Sequence, residues 1–113
     1  MIGFKTMRFD PRTREIVSLA DSRQRWSLAI GSIVRPRAPG LFLSPDRQYV
    51  LDYYASGGDA DEVLLTFEFD PADITRGDLR DREPEIAVRQ ARLIRAEMLA
   101  QPERSESQAR RKP

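Results

Sequence analysis

The chain contains no histidine and no cysteine. Those absences remove the Ser-His-Asp and Cys-His nucleophile systems, zinc-finger and zinc-hydrolase sites and ordinary haem ligation, because each needs an imidazole or a thiolate. Amines, guanidinium groups, carboxylates, hydroxyls and phenols are left to do any chemistry. Asp59, Asp61 and Glu62 follow Gly57 and Gly58 and crowd carboxylates together. A Ca²⁺ or Mg²⁺ site needs about six oxygen ligands and a longer loop, so this run reads as a hairpin loop kept soluble by acids, and no metal is expected. Tyr49, Tyr53 and Tyr54 could stack on a base or nucleotide ring. Because neighbouring helical residues cannot face the same way, one of Tyr53 and Tyr54 should be core and the other surface. Aromatic and Arg side chains dominate binding hot spots, which makes Trp26, Tyr49, Tyr54, Arg35 and Arg37 the candidate contacts for a protein partner; the plainer role for Trp26 is to cap the core. Glycine-rich phosphate loops are absent.

These side chains must be carried by a single domain, since 113 residues support one core and little more. A 40% hydrophobic and 33% charged composition lies in the globular range, toward its polar edge. The net charge of +1 provides no long-range field for nucleic acid or an anionic membrane. All of the 19 basic residues except Lys5 and Lys112 are Arg. Codon usage in a GC-rich genome accounts for that, as would an Arg-rich binding face. No window reaches the ~20 apolar residues of a membrane span and no leader segment is apparent, so the expected location is the cytoplasm.

The elements follow from period and punctuation. Residues 2–9 alternate and stop at the turn composition Asp10-Pro11-Arg12-Thr13, and Glu15–Leu19 answers as the second strand of a hairpin. Residues 31–34 make a short strand cut off by the prolines of 35–40, which is a loop. Residues 40–44 read as a short buried strand, and Ser44-Pro45-Asp46 as N-cap, first helical position and first-turn acid of a helix over 45–55. Val50, Leu51, Tyr53 and Tyr54 supply its apolar stripe, and Ser56-Gly57-Gly58 ends it. Val63, Leu65, Phe67 and Phe69 share one face of the clearest strand, whose other face is more polar. Residues 70–73 form a turn and 75–82 a polar loop. Over 85–99 the alternation of apolar residues opposes good helix formers, and pattern is preferred: strands at 85–88 and 91–98. Residues 101–113 hold one apolar side chain, Ala109; such a tail should be disordered, and its basic residues make only a weak nucleic-acid contact conceivable.

The segment Gly40–Asp46 with its strand ending in Ser44, the helix closing on Leu51-Asp52-Tyr53-Tyr54, and the returning strand 62–69 together resemble the middle of small ADP-ribosyltransferase-like domains. The resemblance covers residues 40–70 best and 1–100 loosely. The chain also looks like small phage and prophage proteins that begin with a Gly-Phe-Lys strand and carry a Tyr-Tyr helix. The transferase resemblance implies NAD as cofactor, with Lys5 or Arg8 at the family's first-strand cation, Ser44 at its central serine, and Glu83-Pro84-Glu85 at its Glu-x-Glu motif. In those roles the cation holds the dinucleotide diphosphate or ribose, the serine orders the site, and the second carboxylate stabilises the oxocarbenium-like centre as nicotinamide leaves.

The expectation is therefore an α+β domain over 1–100, a mainly antiparallel twisted sheet of five to seven strands with one main helix, and a tail over 101–113. The leading functional expectation is a non-enzymatic protein-binding module without a cofactor. The phage resemblance suggests a mobile-element inhibitor of a host system, such as an anti-CRISPR. The alternatives are a minimal ADP-ribosyltransferase using NAD and a weak nucleic-acid binder.

Overall fold

The opening hairpin forms where alternation and turn chemistry place it. In the computed structural model, which describes residues 1–19, 23–38, 40–54, 61–78 and 85–99, β1 (Ile2–Asp10) turns through residues 11–14 into β2 (Glu15–Val17). Arg14 absorbs the turn at φ 60°, a left-handed conformation uncommon outside glycine, Asn and Asp. The remaining elements are β3 (Arg25–Ser27), β4 (Ile33–Val34), β5 (Leu41–Leu43), α1 (Arg47–Tyr53), β6 (Glu62–Glu68), a 3₁₀ turn (Pro71–Asp73), β7 (Ile74–Arg76), β8 (Ile86–Val88) and β9 (Ala91–Met98).

The strands form two antiparallel sheets, one of six strands in the order β3-β2-β1-β6-β9-β4 and one of three in the order β5-β8-β7. The expected five to seven strands are thus nine among the described residues. The additional ones are β3 and β7, Arg25-Trp26-Ser27 and Ile74-Thr75-Arg76, each with a single apolar residue and so without an apolar run to read. β3 is held from its side chains, with Arg25 Nη2 2.7 Å from Asp10 Oδ2 and Nε 3.0 Å from Glu15 Oε1. β7 is preceded by a clamp in which Arg89 Nε donates to Asp73 Oδ1 at 2.7 Å and the Arg89 N–H to the Asp73 carbonyl at 2.9 Å. β9 is a strand despite its helix-forming residues, because it pairs with β6 along its length.

Met7, Leu65, Phe67 and Leu93 of the large sheet pack with Leu41, Leu43, Ile86 and Val88 of the small one to form the core. The second face of β6 is the more polar one, as expected, yet it is largely covered: Leu64 is fully buried, and Glu62 and Thr66 are nearly so. α1 lies against β1. It spans seven residues instead of 45–55, and its cap is Asp46, whose carboxylate accepts the Tyr49 N–H at 3.1 Å, in place of Ser44. Val50 alone among its residues is buried, so Tyr53 and Tyr54 are both exposed and neither joins the core. The expected end at 56–58 and the expected tail lie outside the described residues. No helix among the described residues is long and apolar enough to cross a membrane.

β5 closes on β1 where β1 carries glycine. A Cβ on Gly3 would stand 2.9 Å from Leu43 Cβ and 3.1 Å from Leu43 Cδ1, nearer than packed carbons approach. Gly3→Val should therefore destabilise the fold by about 1–3 kcal/mol through overpacking, read as a lower urea midpoint at unchanged slope. An unchanged midpoint would mean that β5 does not rest on β1 at this point.

Candidate functional site

β1 is paired along its whole length on one edge and only at its ends on the other. Alternate residues of an antiparallel pair exchange hydrogen bonds, and the odd-numbered residues of β1 face β6, as the Phe9 N–H donating to the Asp61 carbonyl shows. The even-numbered residues face away. Among them, Arg8 and Asp10 meet β2, while Phe4 exchanges two bonds with Ser44: its N–H donates to the Ser44 carbonyl at 2.7 Å and its carbonyl accepts the Ser44 N–H at 3.0 Å. Thr6 lies between. The hairpin register would bring Leu19 opposite Thr6, but the ladder ends at Val17. The N–H and C=O of Thr6, a residue 4% exposed, thus have no backbone partner among the described residues.

A cleft of about 300 Å³ opens at this break, lined by Lys5, Thr6, Leu19, Phe42, Ser44, Val50, Tyr54 and Glu85 among others. Each side chain arrives for a local reason. Ser44 ends β5 and is buried; its Oγ accepts the Asp46 N–H at 3.1 Å, which turns the chain into α1. Tyr54 closes α1, and its N–H caps the Val50 carbonyl. Glu85 immediately precedes β8 and is half-buried. Lys5 springs from the same side of β1 as Gly3 and Met7, opposite the fully buried Leu65. It makes no ion pair or hydrogen bond with any described residue.

The electrostatics follow from this placement. Burial holds the Lys5 amine below its ordinary value of 10.5, with the Glu85 carboxylate pulling partly the other way. The Tyr54 phenol is pushed well above its usual range, first by its hydrogen bond with Tyr49, then by burial and by Glu85, so it keeps its proton. Tyr49 also stacks on Tyr53 with ring centroids 4.8 Å apart and meets Tyr54 edge-on at 5.9 Å. The arrangement is a half-enclosed apolar hollow with one amine, one carboxylate, one protonated phenol and a peptide edge that no described residue pairs.

Of the residues singled out in the sequence, Lys5, Ser44, Glu85 and Tyr54 therefore meet in one place. Arg8 does not line the cleft; it is exposed farther along β1, where it pairs with Val17 and Glu62. Glu83 lies outside the described residues, as does Asp59. No group of three potential metal ligands occurs among the described residues. Trp26 is half-buried against the core on β3, Tyr49 is half-buried beside the other tyrosines, and Arg35 and Arg37 are exposed on the loop after β4. No residue type signals Thr6, since its importance comes from where β2 and β5 stop. Pairing Thr6 with its register partner in the hairpin and finding Pro45 beside Ser44 on the other flank could at most have marked the gap.

No family model, curated protein or solved structure matches the chain.

The pH dependence of stability checks the placement of Lys5. Its folded value is lowered, so the unfolded chain binds more protons between that value and 10.5; stability should rise with pH across this window. In Lys5→Met that component should vanish, and the variant should be at least as stable as the parent near neutrality. Tyr54 opposes the trend in both proteins and cancels in the comparison. Parallel stability curves for the two proteins would show the amine to be fully solvated.

Proposed function

We propose that the chain works through the Lys5–Glu85 cleft as a ligand-binding domain of the ADP-ribosyltransferase-like kind, with a nicotinamide dinucleotide as its ligand. The observation that carries this reading is the convergence of Lys5, Ser44 and Glu85, from three separate elements, on the hollow beside Thr6. A planar primary carboxamide can accept the Thr6 N–H and donate to the Thr6 carbonyl, filling the missing rung of the ladder. Phe42, Leu43 and Val50 offer apolar wall to a ring, and Tyr54 lies at its rim. The cavity is at the small end for ligand sites, so it suits the nicotinamide riboside end and leaves the adenosine half outside.

In this reading Lys5 hydrogen-bonds a ribose hydroxyl. Ser44 works through its backbone, holding β5 on β1 and starting the turn into α1. Glu85 sets its negative charge where positive charge builds on the ribose as the bond to nicotinamide breaks, and protonated Tyr54 keeps Glu85 oriented. The bonding pair leaves with nicotinamide, and an acceptor adds to the ribose with loss of its proton.

A protein-binding reading is carried by a different observation: Tyr53 and Tyr54 are 73% and 45% exposed. Under it the tyrosine rim, with exposed Arg35 and Arg37, would occupy a host partner, and the domain would be a mobile-element inhibitor of the anti-CRISPR kind. Trp26 contributes less there, because it packs on the core. The two readings separate at Tyr53, which does not line the cleft.

Calorimetric titration of the full chain with NAD, followed by a label-transfer assay, tests the first reading. Glu85→Gln should abolish transfer while the melting temperature changes little. Failure of the parent chain to bind NAD, or undiminished transfer by the Gln variant, would overturn it.

A further inference from the structure

The ion pairs among the described residues are made by Arg: Arg25 with Asp10 and Glu15, Arg47 and Arg95 with Glu97, and Arg89 with Asp73. Lys5 stands apart from this pattern. It is anchored on the core side of a central strand, it is half-buried at the cleft, and no carboxylate of a described residue is within ion-pair distance. Glu85 reaches it only through the field across the cleft. An anion entering this cleft would gain from Lys5 what it loses to Glu85, so the local charge favours a neutral reactant. Leu19, Phe42, Leu43 and Val50 provide hydrocarbon wall for its tail. An amine desolvated in such surroundings is the kind that attacks carbonyl carbon.

We infer that Lys5 is a carbonyl-capturing amine and that the cleft admits a small neutral aldehyde with an apolar tail, which condenses with Nζ to an imine. The Nζ lone pair forms the C–N bond while the carbonyl π pair moves to oxygen, which takes from water the proton that Nζ released to water on becoming neutral. Transfer of a proton from nitrogen to that oxygen, and cleavage of the C–O bond, release water. The product is an iminium ion on Lys5, with the charge on Glu85 opposite it; hydrolysis reverses the sequence, and no oxidant or reductant enters. The inference rests on the cleft and the amine, and does not depend on the dinucleotide reading.

Lys5 and Lys112 are the chain's only lysines, so peptide mass mapping separates the reactive amine from an internal reference. The full chain is incubated at neutral pH with pentanal and sodium cyanoborohydride, which fixes an imine as a stable pentyl group. Lowering an amine's pKa raises its free-base fraction at neutral pH; Lys5, whose value burial lowers, should accordingly take the pentyl group faster than Lys112. The preference should disappear in denaturing urea and fall in Phe42→Trp, whose larger ring fills the hollow; circular dichroism confirms that this variant is folded. Equal labelling of the two lysines in the native chain, or a preference for Lys5 that survives denaturation, would overturn the inference. NAD binding without trapping would remove this inference and leave the dinucleotide reading standing; trapping without NAD binding would do the reverse.

Discussion

One edge of β1 is shared by two partners that never meet. β2 takes its C-terminal end and Ser44 takes the position of Phe4, and the N–H and C=O of Thr6 are left between them, buried and without a backbone partner among the described residues. A buried peptide group without a hydrogen bond is costly, on the order of 1–3 kcal/mol, and water or a ligand in the cleft relieves that cost. The break has structural causes on both sides. The hairpin ladder stops at Val17, and β5 can approach only because Gly3 offers no Cβ to Leu43. The small sheet is held against this geometry by its own contacts: Leu43 and Ile86 bury together in the core, and the Asp73–Arg89 clamp ties the start of β7 to the end of β8.

The same break explains why titratable groups with unlike environments come together. Lys5 lies where the pleat would otherwise place a hydrophobic residue, and it reaches the cleft instead of a carboxylate. Glu85 arrives at the entry to β8, and Tyr54 arrives at the end of a helix too short to continue past the rim. The phenol remains protonated while the amine is pushed toward its neutral form. The amine's shift raises its neutral, nucleophilic fraction, whereas the phenol's shift makes Tyr54 a weaker acid that stays a hydrogen-bond donor.

Much of the chain could be read from period and punctuation because its long strands keep one face apolar. β1, β6 and β9 are of this kind, and in β9 the alternation prevailed over helix propensity because β6 offered a full-length partner. β3 and β7 carry one apolar residue each and leave no pattern in the sequence; they hold their place by side-chain ion pairs and by pairing with neighbours. The helix start was displaced by two residues because the Asp46 carboxylate captures the Tyr49 N–H, while the Ser44 hydroxyl is engaged by Asp46 itself. Exposure of both Tyr53 and Tyr54 has the same origin: a seven-residue helix buries a single side chain, Val50. Lys5, Ser44 and Glu85 could be named by resemblance, whereas their meeting point depends on the strand ends that flank Thr6 and could not.

The most direct measurement is the amide spectrum of the isotopically labelled chain during titration with NAD. The account requires a saturable shift of the Thr6 amide, accompanied by those of Lys5, Ser44 and Glu85, and slower hydrogen exchange at Thr6 in the bound form. Saturation with every one of these amides unmoved, or with shifts confined to residues 30–33 and 92–94 at the far edge of the large sheet, would contradict it.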